Sequence, residues 1–97
     1  MVRHIVFWKL KQEAEGNVAV ENGKIMKEKL ESLLGVVDGL ESIDIRFGFS
    51  PDFDLCLISE HRDKDALAFY QGHPEHLKVR EFVHKVIESR AAFDCEI

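Results

Sequence analysis

The chain has 97 residues, of which 45% are hydrophobic, and a formal net charge of −5. This length predicts a single domain with a modest core, spanning residues 1–97. The acidic balance, with basic residues interspersed among acidic ones, argues against nucleic-acid binding. No apolar run approaches the roughly 18 residues that cross a bilayer, and the start lacks the apolar segment of a signal peptide. We therefore expect a cytoplasmic protein that binds neither nucleic acid nor membranes.

A strand and a helix are predicted in the first part of the chain. Val2–Lys11 alternates like a strand and has apolar residues on both faces, which indicates a strand covered on both sides. After the polar loop Gln12–Gly16, a helix is predicted from an N-cap at Asn17 to about Leu34. The pair Asn22-Gly23 is also a hairpin signal, but no alternating strands flank it, so one helix is the better prediction.

Two further strands are predicted in the middle of the chain, on either side of a Ser-Pro-Asp turn. The strand that opens at Gly39 has one polar face, as an edge strand has, and one apolar face made of Ile43, Ile45, Phe47 and Phe49. Phe53–His61 has apolar residues on both faces. His61 ends this strand, and we expect its side chain to be solvated, like that of His84.

The second half of the chain predicts two consecutive helices and a last strand. Asp63 is the expected N-cap of a short helix that ends at Gly72. Pro74 suits the first position of a new helix, for which His73 would be the N-cap. The apolar stripe of that helix is Val79, Phe82, Val83, Val86 and Ile87, and the last strand is predicted over Ala91–Ile97.

The order β-α-β-β-α-β, with the second helix split in two, predicts a ferredoxin-like α+β fold: a four-stranded antiparallel sheet with helices on one face. Its usual strand order puts the first and third strands in the centre, and these are the two with apolar residues on both faces. The uncovered face would expose Ile5, Phe7, Cys56 and Ile58. We therefore predict a homodimer packed sheet to sheet. Cys56 and Cys95 would lie on non-neighbouring strands, which favours free thiols over a disulfide.

Acid–base groups are concentrated in the segment Tyr70-Gln71-Gly72-His73-Pro74-Glu75-His76, at the break between the two helices. His76 points with the apolar stripe toward the sheet, so it is either a general base in a pocket or a buried helix-start histidine. Tyr70 would stabilise an oxyanion with its hydroxyl, or simply close the core. His4 would point into the same space from the first strand, if its face meets the helices.

No cofactor is predicted. His73 and His76 have a spacing that metal ligands use, but one sits at a helix cap and no third ligand is evident. A haem-dependent or oxygen-using barrel of similar fold is a weak hypothesis for the same reason. The chain also has no Gly-rich phosphate loop and no G-x-S-x-G motif.

Three segments together resemble the stress-responsive dimeric α/β-barrel (Dabb) domain family. They are the opening His4-Ile5-Val6-Phe7-Trp8-Lys9-Leu10-Lys11, the Tyr70…His73-Pro74…His76 segment, and the closing Phe93-Asp94. The resemblance implies ferredoxin-like protomers whose sheets close into a barrel across a two-fold axis. One branch, which resembles plant polyketide cyclases, uses a tyrosine and a histidine for cofactor-free aldol cyclisation. Their positions match Tyr70 and His76, and the family's first-strand histidine matches His4. The family often ends with Phe-Asp-Tyr, where this chain has Cys95.

Two functions are therefore expected as alternatives. In the first, a small-molecule enzyme, His76 removes a proton next to a carbonyl group, Tyr70 holds the oxyanion, and His4 orients a partner or the substrate. In the second, a non-catalytic dimeric binding or stress-response protein, the same residues close the seam between helix and sheet. The second predicts little free volume beside His76 and a hydrogen-bonded Tyr70.

Overall fold

The computed structural model describes residues 1–97 as four long strands, one short hairpin and three helices. None of the helices has the length and apolar character that crossing a membrane requires. In chain order the elements are β1 (Val2–Leu10), β2 (Glu13–Ala14), β3 (Asn17–Val18), α1 (Ala19–Glu31), β4 (Leu40–Phe47), β5 (Leu55–His61), α2 (Lys64–Gly72), α3 (Pro74–Val86) and β6 (Ile87–Glu96).

The main sheet is antiparallel and has the strand order β4-β5-β1-β6, which confirms the predicted ferredoxin-like topology with β1 and β5 in the centre. Alternate residues of β1 face the helices and are buried, from Val2 to Leu10. The residues between them are only partly buried, because no helix covers that side. The side under the helices is the inner face of the sheet, and the opposite side is the outer face.

The break between α2 and α3 forms as predicted. The Asp63 carboxylate accepts a hydrogen bond from the Ala66 N–H at 2.7 Å and begins α2. Gly72 is the last residue of α2, and Pro74 begins α3. His73 caps α3, because its Nδ1 accepts a hydrogen bond from the Glu75 N–H at 3.1 Å. This local chemistry fixes where one helix stops and the next begins.

The predicted start and end of the first helix were wrong. Asn17 lies in a two-residue strand, and Val18 is the residue before the helix. The predicted loop is a hairpin tip, with Glu15 at φ 51° and Gly16 at φ 78°. Asn22 belongs to the helix and ties it to this hairpin, since its amide donates to the Ala14 carbonyl at 2.9 Å. The helix ends at Glu31 instead of Leu34, and hydrogen-bonded turns follow.

Strand boundaries also differ from the predictions. The last strand begins at Ile87, four residues before the predicted Ala91, because the helix stops as soon as the chain meets the edge of β1. Arg90 therefore belongs to the sheet. In β4 the predicted apolar face is incomplete, since Phe47 and Phe49 are 52% and 104% exposed. Phe47 is the last residue of the strand, where its ring only partly packs against α1 near Gly23, and Phe49 lies beyond the strand.

The outer face carries a continuous apolar band. Ile5 pairs with Ile58 on one side and with Phe93 on the other, and Phe93 is 61% exposed. The predicted residues Phe7 and Cys56 lie in the next row. Cys56 and Cys95 are free thiols on strands that β1 separates. At one end of the face an Arg3–Glu60 ion pair, 2.8 Å long, borders the band.

Candidate functional site

A cavity of about 340 Å³ lies between the inner face of the sheet and the helices. Its apolar wall includes Val6 and Leu57 from the central strands, with Val79 and Val83 from α3. Its polar groups come from β1, α2, α3 and β6, and they are His4, Trp8, Tyr70, Gln71, His76, Arg80, His84 and Arg90. The last three of these are exposed, so they mark the side of the cavity that opens to solvent.

All three residues predicted from the sequence lie on this one cavity. His4 and Tyr70 are buried, with 5% and 1% of their surface exposed, and His76 is partly buried. The ring centres of Tyr70 and His76 are 4.4 Å apart, and those of Tyr70 and His4 are 6.5 Å apart. The phenol ring of Tyr70 is therefore close to both imidazoles.

His76 has the hydrogen bonding of a general base. Its Nδ1 lies 3.2 Å from the Gln71 carbonyl oxygen, which can only accept, so Nδ1 carries the proton. Nε2 keeps its lone pair. Burial lowers the pKa of His76, the Gln71 carbonyl partly opposes this, and the positive charge of Arg80 lowers the pKa further. The imidazole is therefore neutral at neutral pH and able to accept a proton.

Tyr70 has the features of a hydrogen-bond donor without a partner in the protein. Burial alone raises its pKa to about 12, and no protein group hydrogen-bonds its hydroxyl. The phenol therefore keeps its proton at neutral pH. A buried phenol normally has a partner, so this hydroxyl is available to a ligand oxygen.

His4 is oriented by Asp94, a residue that the sequence did not single out for this role. The two are paired across β1 and β6, and His4 Nδ1 hydrogen-bonds the Asp94 carboxylate. The carboxylate accepts, so His4 Nδ1 carries the proton and Nε2 is free. Asp94 could have been found from strand alternation alone, once the last strand was paired antiparallel to the first.

The prediction that His61 is solvated was wrong. It is fully buried, because Tyr70 on α2 covers this end of β5, with the two ring centres 4.8 Å apart. Its Nε2 is 2.9 Å from the Ser59 hydroxyl, and its Nδ1 has no partner. Burial lowers its pKa to about 4, and the neighbouring His4 adds to this shift. The sequence held a signal, since His61 continues the alternation of Leu55 and Leu57.

The remaining candidates lie outside this cluster or at its margin. His73 is the helix cap and does not line the cavity, and His84 is exposed, as predicted. Trp8 also lines the cavity, and its indole N–H is buried without a protein partner. No group of three or more His, Cys, Asp or Glu side chains is placed to hold a metal ion.

This architecture is that of a known protein family. Residues 2–97 match the model of the Dabb family, described as the stress responsive A/B barrel domain. The chain belongs to the Dabb family. This confirms the family expected from the sequence. No curated protein matches this Dabb chain.

Solved structures share the fold over nearly the whole chain. A dimeric ferredoxin-like protein of unknown function from Bacteroides fragilis is 27% identical, with a TM-score of 0.77, covering 99% of this chain and 95% of its own. A Dabb family protein from Mesorhizobium loti is 22% identical, with a TM-score of 0.79 and coverage of 99% and 95%. A hydroxynitrile lyase from Passiflora edulis is 14% identical, with a TM-score of 0.85 and coverage of 99% and 92%. The last two identities establish the fold alone.

Proposed function

We propose that this Dabb protein is a cofactor-independent enzyme that removes a proton next to the carbonyl group of a small molecule, in a reaction of the aldol or cyclase type. One observation carries the proposal. A neutral imidazole with a free Nε2, on His76, lies against a phenol without a protein partner, on Tyr70, at the wall of one cavity.

Each group has a defined part in such a reaction. His76 Nε2 takes the proton from the carbon next to the carbonyl, and the electrons of that C–H bond move onto the carbonyl oxygen. The Tyr70 hydroxyl donates a hydrogen bond to the resulting enolate oxygen. The enolate carbon then attacks a second carbonyl of the substrate, a C–C bond forms, and protonated His76 returns its proton to the new alkoxide. His4, held by Asp94, orients the substrate or Tyr70.

The alternative is a non-catalytic dimeric binding or stress-response protein. That function requires the histidines and Tyr70 to fill a helix–sheet seam, with little space and a satisfied phenol. The free volume of about 340 Å³ and the unpartnered hydroxyl of Tyr70 favour the enzyme. The hydroxynitrile lyase adds no support for a particular reaction, since at 14% identity it shares only the fold.

We also propose that the protein is a homodimer joined through the outer face of the sheet. The apolar band around Ile5, Ile58 and Phe93 has no cover within one chain. Burying such a band against a second copy would remove a large apolar surface from water. The Bacteroides relative, whose name describes it as dimeric, is consistent with this arrangement.

Exchange of carbon-bound hydrogen tests the proposed chemistry without knowledge of the natural substrate. Acetophenone, cyclohexanone and methyl levulinate are incubated with the protein in D₂O, and deuterium incorporation next to each ketone is followed by NMR. The wild type should accelerate exchange of at least one ketone, and His76→Ala should lose about 10²- to 10⁴-fold of that acceleration.

His73→Asn is the matched control, because it removes a nearby imidazole while asparagine still caps the helix. It should exchange like the wild type. Acceleration that survives in His76→Ala would contradict the role of His76. A wild type that accelerates none of the three exchanges would favour the non-catalytic alternative.

A further inference from the structure

Two arginines at the cavity differ from every other arginine in the chain. Arg80 on α3 and Arg90 on β6 both line the cavity, and neither has a carboxylate within ion-pair distance. The three other arginines each form an ion pair with a carboxylate: Arg3 at 2.8 Å, Arg46 at 3.0 Å and Arg62 at 3.6 Å. The unpaired guanidinium groups are thus confined to one place, on two walls of the same opening.

The surroundings of these two side chains do not compensate their charge. No aspartate or glutamate lines the cavity, and the third side chain at its opening is His84. Asp94, the acid that contacts the cavity residue His4, is committed to that histidine. A cavity with this lining is a positively charged site in a chain whose net charge is −5. Such a site attracts an anion, and the planar fork of a guanidinium matches a carboxylate with two parallel hydrogen bonds.

The arginines also act on the candidate base. Both Arg80 and Arg90 contribute to the lowered pKa of His76, so their charges are felt at its imidazole. An anion bound between them would cancel this effect and raise the pKa of His76 again. The base would then become stronger when an acidic ligand is in place.

We propose that the substrate is an oxo acid, whose carboxylate binds Arg80 and Arg90 at the open side of the cavity while its ketone reaches Tyr70 and His76. The carboxylate half of the inference rests on the arginines alone. The ketone half rests on the function proposed above. Both halves fit the cavity of about 340 Å³, whose inner wall is apolar and suits a short carbon chain.

Three small molecules test separately the binding of the carboxylate and the binding of the ketone. Levulinate has a carboxylate and a ketone, methyl levulinate has the ketone without the charge, and valerate has the charge without the ketone. Each is titrated into the protein while the amide and arginine side-chain NMR signals are recorded. Levulinate should bind at least about tenfold more tightly than methyl levulinate, the size of one charge-assisted hydrogen bond.

That preference should disappear in Arg80→Gln combined with Arg90→Gln. It should persist in Arg62→Gln, which removes one positive charge from an arginine that already has the partner Asp38. A low-salt buffer should increase the preference, because exposed charges are screened by ions.

The outcomes distinguish this inference from the proposed function. Equal binding of levulinate and its ester to the wild type would overturn the oxo-acid inference, and His76-dependent exchange of the ester would then leave the function standing. If levulinate and valerate bind equally at the arginines and no ketone exchanges, the arginines hold acids and the proposed function is wrong. Inorganic phosphate that displaces levulinate at lower concentration from the same arginines would show a phosphate site and overturn the carboxylate.

Discussion

The two faces of this sheet are made by the same strands, yet each carries residues that the folding of a single chain would not favour there. The inner face, under the helices, carries His4, Ser59, His61 and the carboxylate of Asp94. The outer face, which one chain leaves open, carries Ile5 and Ile58 with Phe93 beside them. Buried polar groups reduce stability unless they are paired, and exposed apolar groups in a band attract one another across molecules.

The inner face holds the hydrophobic core of the chain, but part of each face is not arranged for the stability of a single chain. The inner face has a cavity with an unpartnered hydroxyl and an unpartnered indole N–H, which a well-packed core would avoid. The outer face has the composition of a core without a second layer. One face is suited to a ligand and the other to a second copy of the chain.

The largest expected effect is on the inner face. Tyr70→Phe removes one hydroxyl that no protein group uses, so folding stability should stay the same or rise slightly. Catalysed exchange of a ketone hydrogen should fall about 10²- to 10³-fold, as it does when an oxyanion donor is lost. Rates are measured by NMR and stability by thermal unfolding. Phe69→Leu, a change at the exposed preceding residue, is the control, and an unchanged rate in Tyr70→Phe would remove Tyr70 from the mechanism.

A charge on the outer face tests whether that face joins two copies of the chain. Ile5→Asp puts a carboxylate in the middle of the apolar band, where it would be desolvated in a dimer. Dimer affinity should fall roughly a hundredfold, while the protomer stays folded. Sedimentation velocity measures this, with Ser89→Asp at the exposed rim of the same face as the control. A wild type that sediments as a monomer at micromolar concentration would refute the dimer itself.

The third effect concerns the buried imidazole of His61. Its pKa falls from 6.5 to about 4 in the folded chain, so the unfolded chain binds the proton more readily. Above pH 6.5 His61 is neutral in both states, so its titration does not lower the free energy of unfolding. As the pH falls toward 4, the unfolded chain gains a proton that the folded chain does not, and the free energy of unfolding decreases. The loss should reach up to about 3 kcal/mol in free energy of unfolding.

Urea unfolding between neutral pH and pH 4 measures this loss. His61→Phe should flatten the pH dependence, whereas a substitution of the exposed His84 by glutamine should preserve it. An equally steep dependence in His61→Phe would show that another group is responsible.

The smallest effect is on the pH profile of the exchange reaction. Since His76 must be neutral to act, the rate should rise with pH through a pKa below 6.5 and then level off. Arg90→Gln removes a positive charge that lowers this pKa, so the inflection should move up by roughly a few tenths of a pH unit. Arg62→Gln should leave it in place, and an inflection that moves equally in both variants would assign the shift to overall charge.

The features predicted correctly from the sequence depend on local chemistry or on simple alternation. His73 and Pro74 correctly predicted a helix start, because capping involves only residues within one turn. The order of the strands was expected from the usual topology of the fold, and the two segments with apolar residues on both faces agreed with it. Helix spacing directed His76 toward the sheet, and His4 was expected to share that space if its face of the first strand met the helices.

The features that were missed depend on contacts between distant segments. His61 is buried because Tyr70 of α2 packs over the end of β5. Alternation with Leu55 and Leu57 indicates its face of the strand, but the helix that covers it there is a distant contact. Asp94 reaches His4 only through the pairing of β6 with β1, which are ninety residues apart. The predicted last strand did not include Arg90, because helix propensity continues past Val86. The helix ends at Val86 only because the chain then pairs with the edge of β1.

Trp8 gives this molecule its own optical reporter. It is the single tryptophan of the chain and it lines the cavity. A ligand that enters the cavity beside the ring changes the polarity around one defined fluorophore, and therefore its emission. Libraries of unlabelled compounds can therefore be screened on the unmodified protein, with every signal arising at the site in question.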